Sequence, residues 1–188
     1  GAKQAVDYLQ CVDIIRTGER EFKPIYEPYH YATGRNAPEC GRGRMGRDPS
    51  GSIGSWQALA LTLYGVLPDD LPGLDPYSQQ VISKWAIRMP AQQWIDQGRK
   101  HLVKSAALMR TPEDVRDAIC NGSPVTIASD VGFSMRPPVK DGRLVNSRRG
   151  SWAHQMICCS YDGATGSQPY YYILNSWGED AHGTPPDD

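Results

Sequence analysis

The chain has 188 residues, a formal net charge of -1 and 22% charged residues. That length suffices for one domain with a sizeable core, and the near-neutral balance argues against a nucleic-acid partner. No apolar run approaches membrane-spanning length and no secretory leader opens the sequence, so neither a membrane partner nor export is expected.

Five cysteines, Cys11, Cys40, Cys120, Cys158 and Cys159, are an odd number at no framework spacing. A full disulfide set is excluded, which favours a reducing compartment or a particle assembled in one.

Residues 1–16 predict a helix with Ala2, Ala5, Val6, Leu9 and Val12 on one face and Lys3, Asp7 and Cys11 away from it. It starts without a cap. Residues 17–50 read as loop, punctuated by Pro24, Pro28, Pro38 and Pro49. Within them Gly41-Arg42-Gly43-Arg44-Met45-Gly46 matches G-x-G-x-x-G, but no strand precedes it and no helix opens from it, so it reads as solvated loop. No cofactor is expected.

Gly51, Ser52, Ile53 and Gly54 lead into a second helix over residues 56–64, with Gly65 as its stop. Residues 68–75 are a connector, and short helices are predicted over 78–88 and 91–100. Thr111-Pro112-Glu113-Asp114 is a helix start: a Thr cap, Pro at the first position and acids in the first turn. That helix ends at Asn121-Gly122, and a strand opens over residues 123–128. Lys140-Asp141-Gly142-Arg143 signals a hairpin.

The stretch from 150 to 178 carries the chemistry. Two short apolar runs joined by a polar, Gly-rich loop at 162–169 read as adjacent antiparallel strands. His154 heads the first run and Asn175 closes the second, so both fall at one end of the sheet. An Asn oxygen that accepts a ring N–H holds an imidazole in one tautomer, as in the Cys-His-Asn form of the triad. The contact is expected through Nδ1 of His154.

Asn175-Ser176-Trp177-Gly178 resembles the asparagine motif of papain-like cysteine peptidases. Trp152-Ala153-His154 followed by Met156-Ile157-Cys158 resembles their histidine strand. The resemblance implies an α+β papain-like two-lobe fold, with a helical lobe over residues 1–110, a β-barrel-like lobe over 111–188 and the site between them. It implies peptide-bond hydrolysis of peptide or protein substrates, with His154 and Asn175 catalytic and Trp177 shielding their hydrogen bond. Gly51, Ser52, Ile53 and Gly54 then correspond to the family's glycine loop on the substrate's non-primed side, where Ser52 replaces a frequent disulfide cysteine. No metal is implied.

The nucleophile is less direct. A papain-like thiolate sits at a helix N-terminus, about 130–150 residues before its His. Only Cys11 has that separation, but it lies mid-helix, beyond the reach of the helix dipole. Cys40 lies in a loop, and Cys120, Cys158 and Cys159 are too close to His154 in sequence. The Cys is therefore expected just upstream of Gly1, with Gly1 within about 10 Å of His154, from helical rise and side-chain reach. The sequence also reads as short of the family's length at its C-terminal end.

Two rivals remain. One is a degenerate papain-like module serving as a structural or binding part of a larger assembly such as a phage virion, since proteins of this resemblance occur in bacteria and tailed phages. The other is a serine hydrolase using Ser55. The first makes other protein chains the partners, and the expected location is cytoplasmic or virion-associated.

Overall fold

The computed structural model describes residues 1–18, 21–140, 142–163 and 169–176. The first helix, α1 (Ala2–Thr17), buries Ala2, Ala5 and Val6 and stops at Gly18, whose left-handed φ of 67° lets its N–H donate to Ile14 O. Leu9 and Val12 of the predicted face are half-buried. The helix lies along the long strand β4 (Arg148–Asp162): Gly1 stands against Gln155, and the Tyr8 hydroxyl donates to Cys159 O at 3.4 Å.

The largest departure from expectation is α2 (Glu27–Asn36), inside the segment read as loop. Pro28 occupies the first turn of this helix, where its missing N–H costs nothing. Tyr29, Ala32, Thr33 and Arg35 are buried, so the helix presents apolar and polar groups to protein on most sides. An amphipathic signal is accordingly absent.

Around α2 the chain builds its main core. The helix α3 (Gly54–Leu63) packs on it, starting two residues earlier than predicted; α4 (Gln79–Ala86) packs on it too, and α5 (Gln92–Gly98) follows α4 in the chain. Tyr29, Ala60, Tyr64, Leu67 and Ile95 share one cluster. Burying each large side chain is worth about 2–3 kcal/mol. The Tyr29 hydroxyl donates to Tyr64 O at 2.7 Å, so the polar end of the ring is satisfied. Ser78 caps α4 by accepting from Val81 N–H at 3.2 Å.

The sixth helix, α6 (Pro112–Cys120), starts as predicted: Thr111 accepts from Asp114 N–H at 3.0 Å while Asp114 accepts from Thr111 N–H at 3.0 Å. The strands are β1 (Val125–Phe133), β2 (Val139–Lys140), β3 (Arg143–Leu144), β4 and β5 (Tyr170–Leu174). β4 is central, antiparallel to β1 on one side and to β5 on the other, while β2 and β3 form the separate predicted hairpin. The first strand runs five residues beyond its predicted end, through two irregularities after Ser129.

The fold is thus mixed: helices, then an antiparallel sheet contacted by α1, α3 and α6. The barrel expectation is corrected. Among the described residues the sheet is open, with β1 and β5 as its edges and no closed barrel.

Candidate active site

The β4–β5 register pairs Ile157 with Leu174 and Cys158 with Ile173. Antiparallel direction then carries Asn175 towards the residues before Ile157, and the side chains meet: His154 Nε2 lies 2.8 Å from Asn175 Oδ1. The nitrogen is Nε2 and not the expected Nδ1. Register fixes which strand ends approach but says nothing about ring rotation, so the sequence could place the pair and not the atom.

The proton can be assigned from chemistry. Ser176 N–H, which can only donate, meets the same Oδ1 at 2.8 Å. That amide atom is therefore oxygen, and an oxygen can only accept from the ring. Nε2 carries the hydrogen, and the basic nitrogen is Nδ1 on the opposite side of the imidazole.

Trp177 lies outside the described residues. On β1, Ser129 pairs with His154, and its hydroxyl accepts from Val131 N–H at 3.0 Å. Two residues before His154, Trp152 packs against Phe133 with ring centroids 5.3 Å apart.

Next to His154, Gln155 gathers two further elements. A Cβ on Gly1 would fall onto the Gln155 side chain, and a Cβ on Gly54 would lie 3.3 Å from Gln155 Nε2 and 3.0 Å from the Ala128 Cβ. The starts of α1 and α3 thus converge beside the histidine strand, with Gly1 half-buried there. Strand alternation puts Gln155 on the opposite face of β4 from His154, which no motif signals.

Gly51, Ser52, Ile53 and Gly54 enter α3 beside this junction, with Ile53 as the N-cap. Their anchor went unpredicted. The buried Arg35 guanidinium donates to Ala86 O at 2.9 Å and Ser50 O at 2.8 Å, and also to the carbonyls of Asp48 and Gly51. The Tyr31 hydroxyl adds bonds to Pro49 O at 2.9 Å and Gly51 O at 2.7 Å, and the Ser52 hydroxyl accepts from Gln57 at 2.6 Å. The signal for Arg35 was hidden with α2.

The thiols separate by environment. Burial raises the pKa of Cys40 and Cys159 and pushes Cys158 up to about 11, so these favour the inert thiol form at neutral pH. Cys11 is exposed within α1, and Cys120 is exposed at the end of α6. Ser55 is exposed in the first turn of α3 and makes no hydrogen bond with His154.

His30, on α2, is buried with neither ring nitrogen hydrogen-bonded, and burial lowers its pKa to about 4. A groove of about 1030 Å³ follows α1 and residues 100–109 and touches Gln155, but it includes neither His154 nor Asn175. Among the described residues no group of His, Cys, Asp and Glu could hold a metal, and no helix is long and apolar enough to cross a membrane.

No family model matches the chain, and no curated protein matches it by sequence. Its fold does match solved structures. The crystal structure of xylellain, a cysteine protease from Xylella fastidiosa, aligns with 98% of this chain and 70% of its own, at a TM-score of 0.59 and 13% identity. At that identity the likeness is one of fold.

Proposed function

We propose that the chain is the body of a papain-like cysteine peptidase, with lobes of residues 1–110 and 111–188 flanking the cleft. The observation that carries this reading is the hydrogen bond from His154 Nε2 to Asn175 Oδ1. It fits a general base held in one tautomer, and the fold likeness to a cysteine protease supports it.

The nucleophile in this proposal is a Cys on the segment leading into α1. Its support is that the start of α1 abuts Gln155, the residue after His154 on β4, and that a thiolate gains from a helix N-terminus and from a nearby imidazolium. His154 Nδ1 takes the thiol proton, and sulfur attacks the peptide carbonyl carbon. The imidazolium then protonates the departing amine as the C–N bond breaks. Water, deprotonated at Nδ1, next releases the acyl group as a carboxylic acid and restores the thiol. Asn175 holds the ring throughout, and Gly51, Ser52, Ile53 and Gly54 line the non-primed side.

The test is labelling of the complete polypeptide with an epoxysuccinyl peptide, read by intact mass and peptide mapping. Modification of a Cys preceding Gly1, lost in His154→Ala, is the expected result. Absence of labelling together with absence of peptide cleavage overturns the peptidase reading. It would favour the second one, a non-catalytic module of a larger assembly, which fits the lack of a described thiol at a helix N-terminus. A serine hydrolase is disfavoured by the placement of Ser55.

A further inference from the structure

The basic glycine segment at residues 41–47 turns on itself and is tied back to the end of α2. Gly41 N–H donates to Gly34 O at 3.0 Å, Gly43 N–H to Arg35 O at 2.9 Å and Gly46 N–H to Gly43 O at 2.9 Å. Its three arginines, Arg42, Arg44 and Arg47, are exposed, and none pairs with a carboxylate among the described residues.

Two of them are held in place. Arg44 donates from Nε to Gly41 O and from Nη2 to Cys40 O, both at 3.2 Å, and its guanidinium lies 5.0 Å from the centroid of the Trp56 ring. Arg42 donates from Nε to Pro38 O at 3.1 Å. Each guanidinium keeps further N–H groups for a ligand, and the entropy of fixing the side chain is already spent. The nearby carboxylates are engaged: Glu39 accepts from the Tyr64 hydroxyl at 2.6 Å, and Asp48 accepts from Ser50 N–H at 2.9 Å and its hydroxyl at 2.7 Å.

This patch adjoins the loop that enters α3, whose first residue meets Gln155 of the histidine strand. A Cβ on Gly51 would stand 3.6 Å from Met45 Cε, and Trp56, under Arg44, lies two residues after Gly54, which abuts Gln155.

We propose that Arg44, with Arg42 and Arg47, forms an acidic-residue subsite, selecting peptides with Asp or Glu two or three residues before the scissile bond. The proposal rests on the peptidase reading for the position of that bond. An oriented guanidinium can meet a carboxylate through two parallel N–H donors, whereas an Asn at the same place offers one acceptor and no charge.

The test uses the complete polypeptide and paired fluorogenic peptides differing only by Asp or Asn at those positions. Expected is a kcat/KM ratio favouring Asp by about fivefold, the upper range for a solvent-exposed ion pair. The ratio should fall to about one in Arg44→Met, keep part of its value in Arg44→Lys, and shrink in high salt, where the Debye length is about 3 Å. A wild-type ratio of one or less overturns the subsite, as does an unchanged ratio in folded Arg44→Met.

If neither peptide is cleaved and no thiol is labelled, the peptidase reading fails, and anisotropy of the same labelled peptides reads the subsite. Tighter binding of the Asp peptide, lost in Arg44→Met, supports an acidic-peptide site; equal binding overturns it. An RNA oligonucleotide that displaces the Asp peptide at lower concentration than unlabelled peptide does also overturns it, in favour of a nucleic-acid surface.

Discussion

The buried guanidinium of Arg35 donates to the carbonyl of Ser50 at 2.8 Å, tying the hidden helix α2 to the loop that enters α3. The Asp48 carboxylate lies close enough to feel this charge, but the N–H groups go to backbone oxygens of Asp48, Ser50, Gly51 and Ala86. Arg35→Met keeps most of the stem but leaves these carbonyls unpaired, so it should destabilise by about 3–5 kcal/mol. Arg35→Lys, unable to reach the same fan of acceptors, should recover less than half of that. Urea denaturation midpoints decide it, and a loss below about 1 kcal/mol for Arg35→Met would refute the anchoring role.

The pairing of His154 with Asn175 predicts a graded pattern in the complete polypeptide. His154→Ala removes the base and should lower kcat about 10²–10⁴-fold. Asn175→Ala keeps the base but frees its ring, so a smaller loss is expected. Asn175→Asp supplies a carboxylate to Nε2–H and should move the alkaline limb of the pH–rate profile upward by stabilising imidazolium. Identical profiles for Asn175→Asp and the wild type would remove Asn175 from the role of orienter.

What the sequence revealed and what it hid have one physical division. His154 and Asn175 were legible because antiparallel pairing of two runs across a polar loop constrains which ends can meet. Thr111 and Asp114 were legible because a capping box is local chemistry. The helix α2 was hidden because it is buried almost all round, and because Pro28 at a helix start reads like Pro in a loop. Arg35 and Gln155 act through partners distant in sequence, Ala86 for one and Gly1 for the other, and neither leaves a local pattern. The choice between Nδ1 and Nε2 was hidden too, since it depends on ring rotation and not on register.

Gly65 tests the tightness of the α3 exit. Its φ is +68°, and an added Cβ would collide with the carbonyl oxygens of Gly98 and His101. Gly46 has a similar φ of +62° but open space around it. Gly46→Ala should therefore cost about 1–2 kcal/mol, the penalty for a side chain in left-handed backbone. Gly65→Ala should cost about 3 kcal/mol or more, because steric overlap adds to it. Equal thermal and urea shifts for the two variants would show that the carbonyls move aside without cost.

His30 predicts an acid limb of stability. Burial holds its pKa at about 4, and neither ring nitrogen has a hydrogen-bond partner. In the unfolded chain an unperturbed His titrates near 6.5. Between those values the unfolded chain binds a proton that the native one refuses. The contribution is therefore present in full above about pH 6.5, shrinks as pH falls, and is exhausted near pH 4. Complete loss amounts to about 3 kcal/mol, from 1.36 kcal/mol for each unit of pKa difference. Asp48, Asp114 and Glu39 also lose stabilisation in acid, but hydrogen bonds hold their pKa values below the ordinary carboxylate range, so much of their titration lies lower. Urea titrations at pH 7, 6, 5 and 4.5 should show stability falling for the wild type, with a much flatter profile for His30→Gln over the same interval. If His30→Gln falls as steeply as the wild type, the acid limb belongs to other groups and the buried imidazole is not its source.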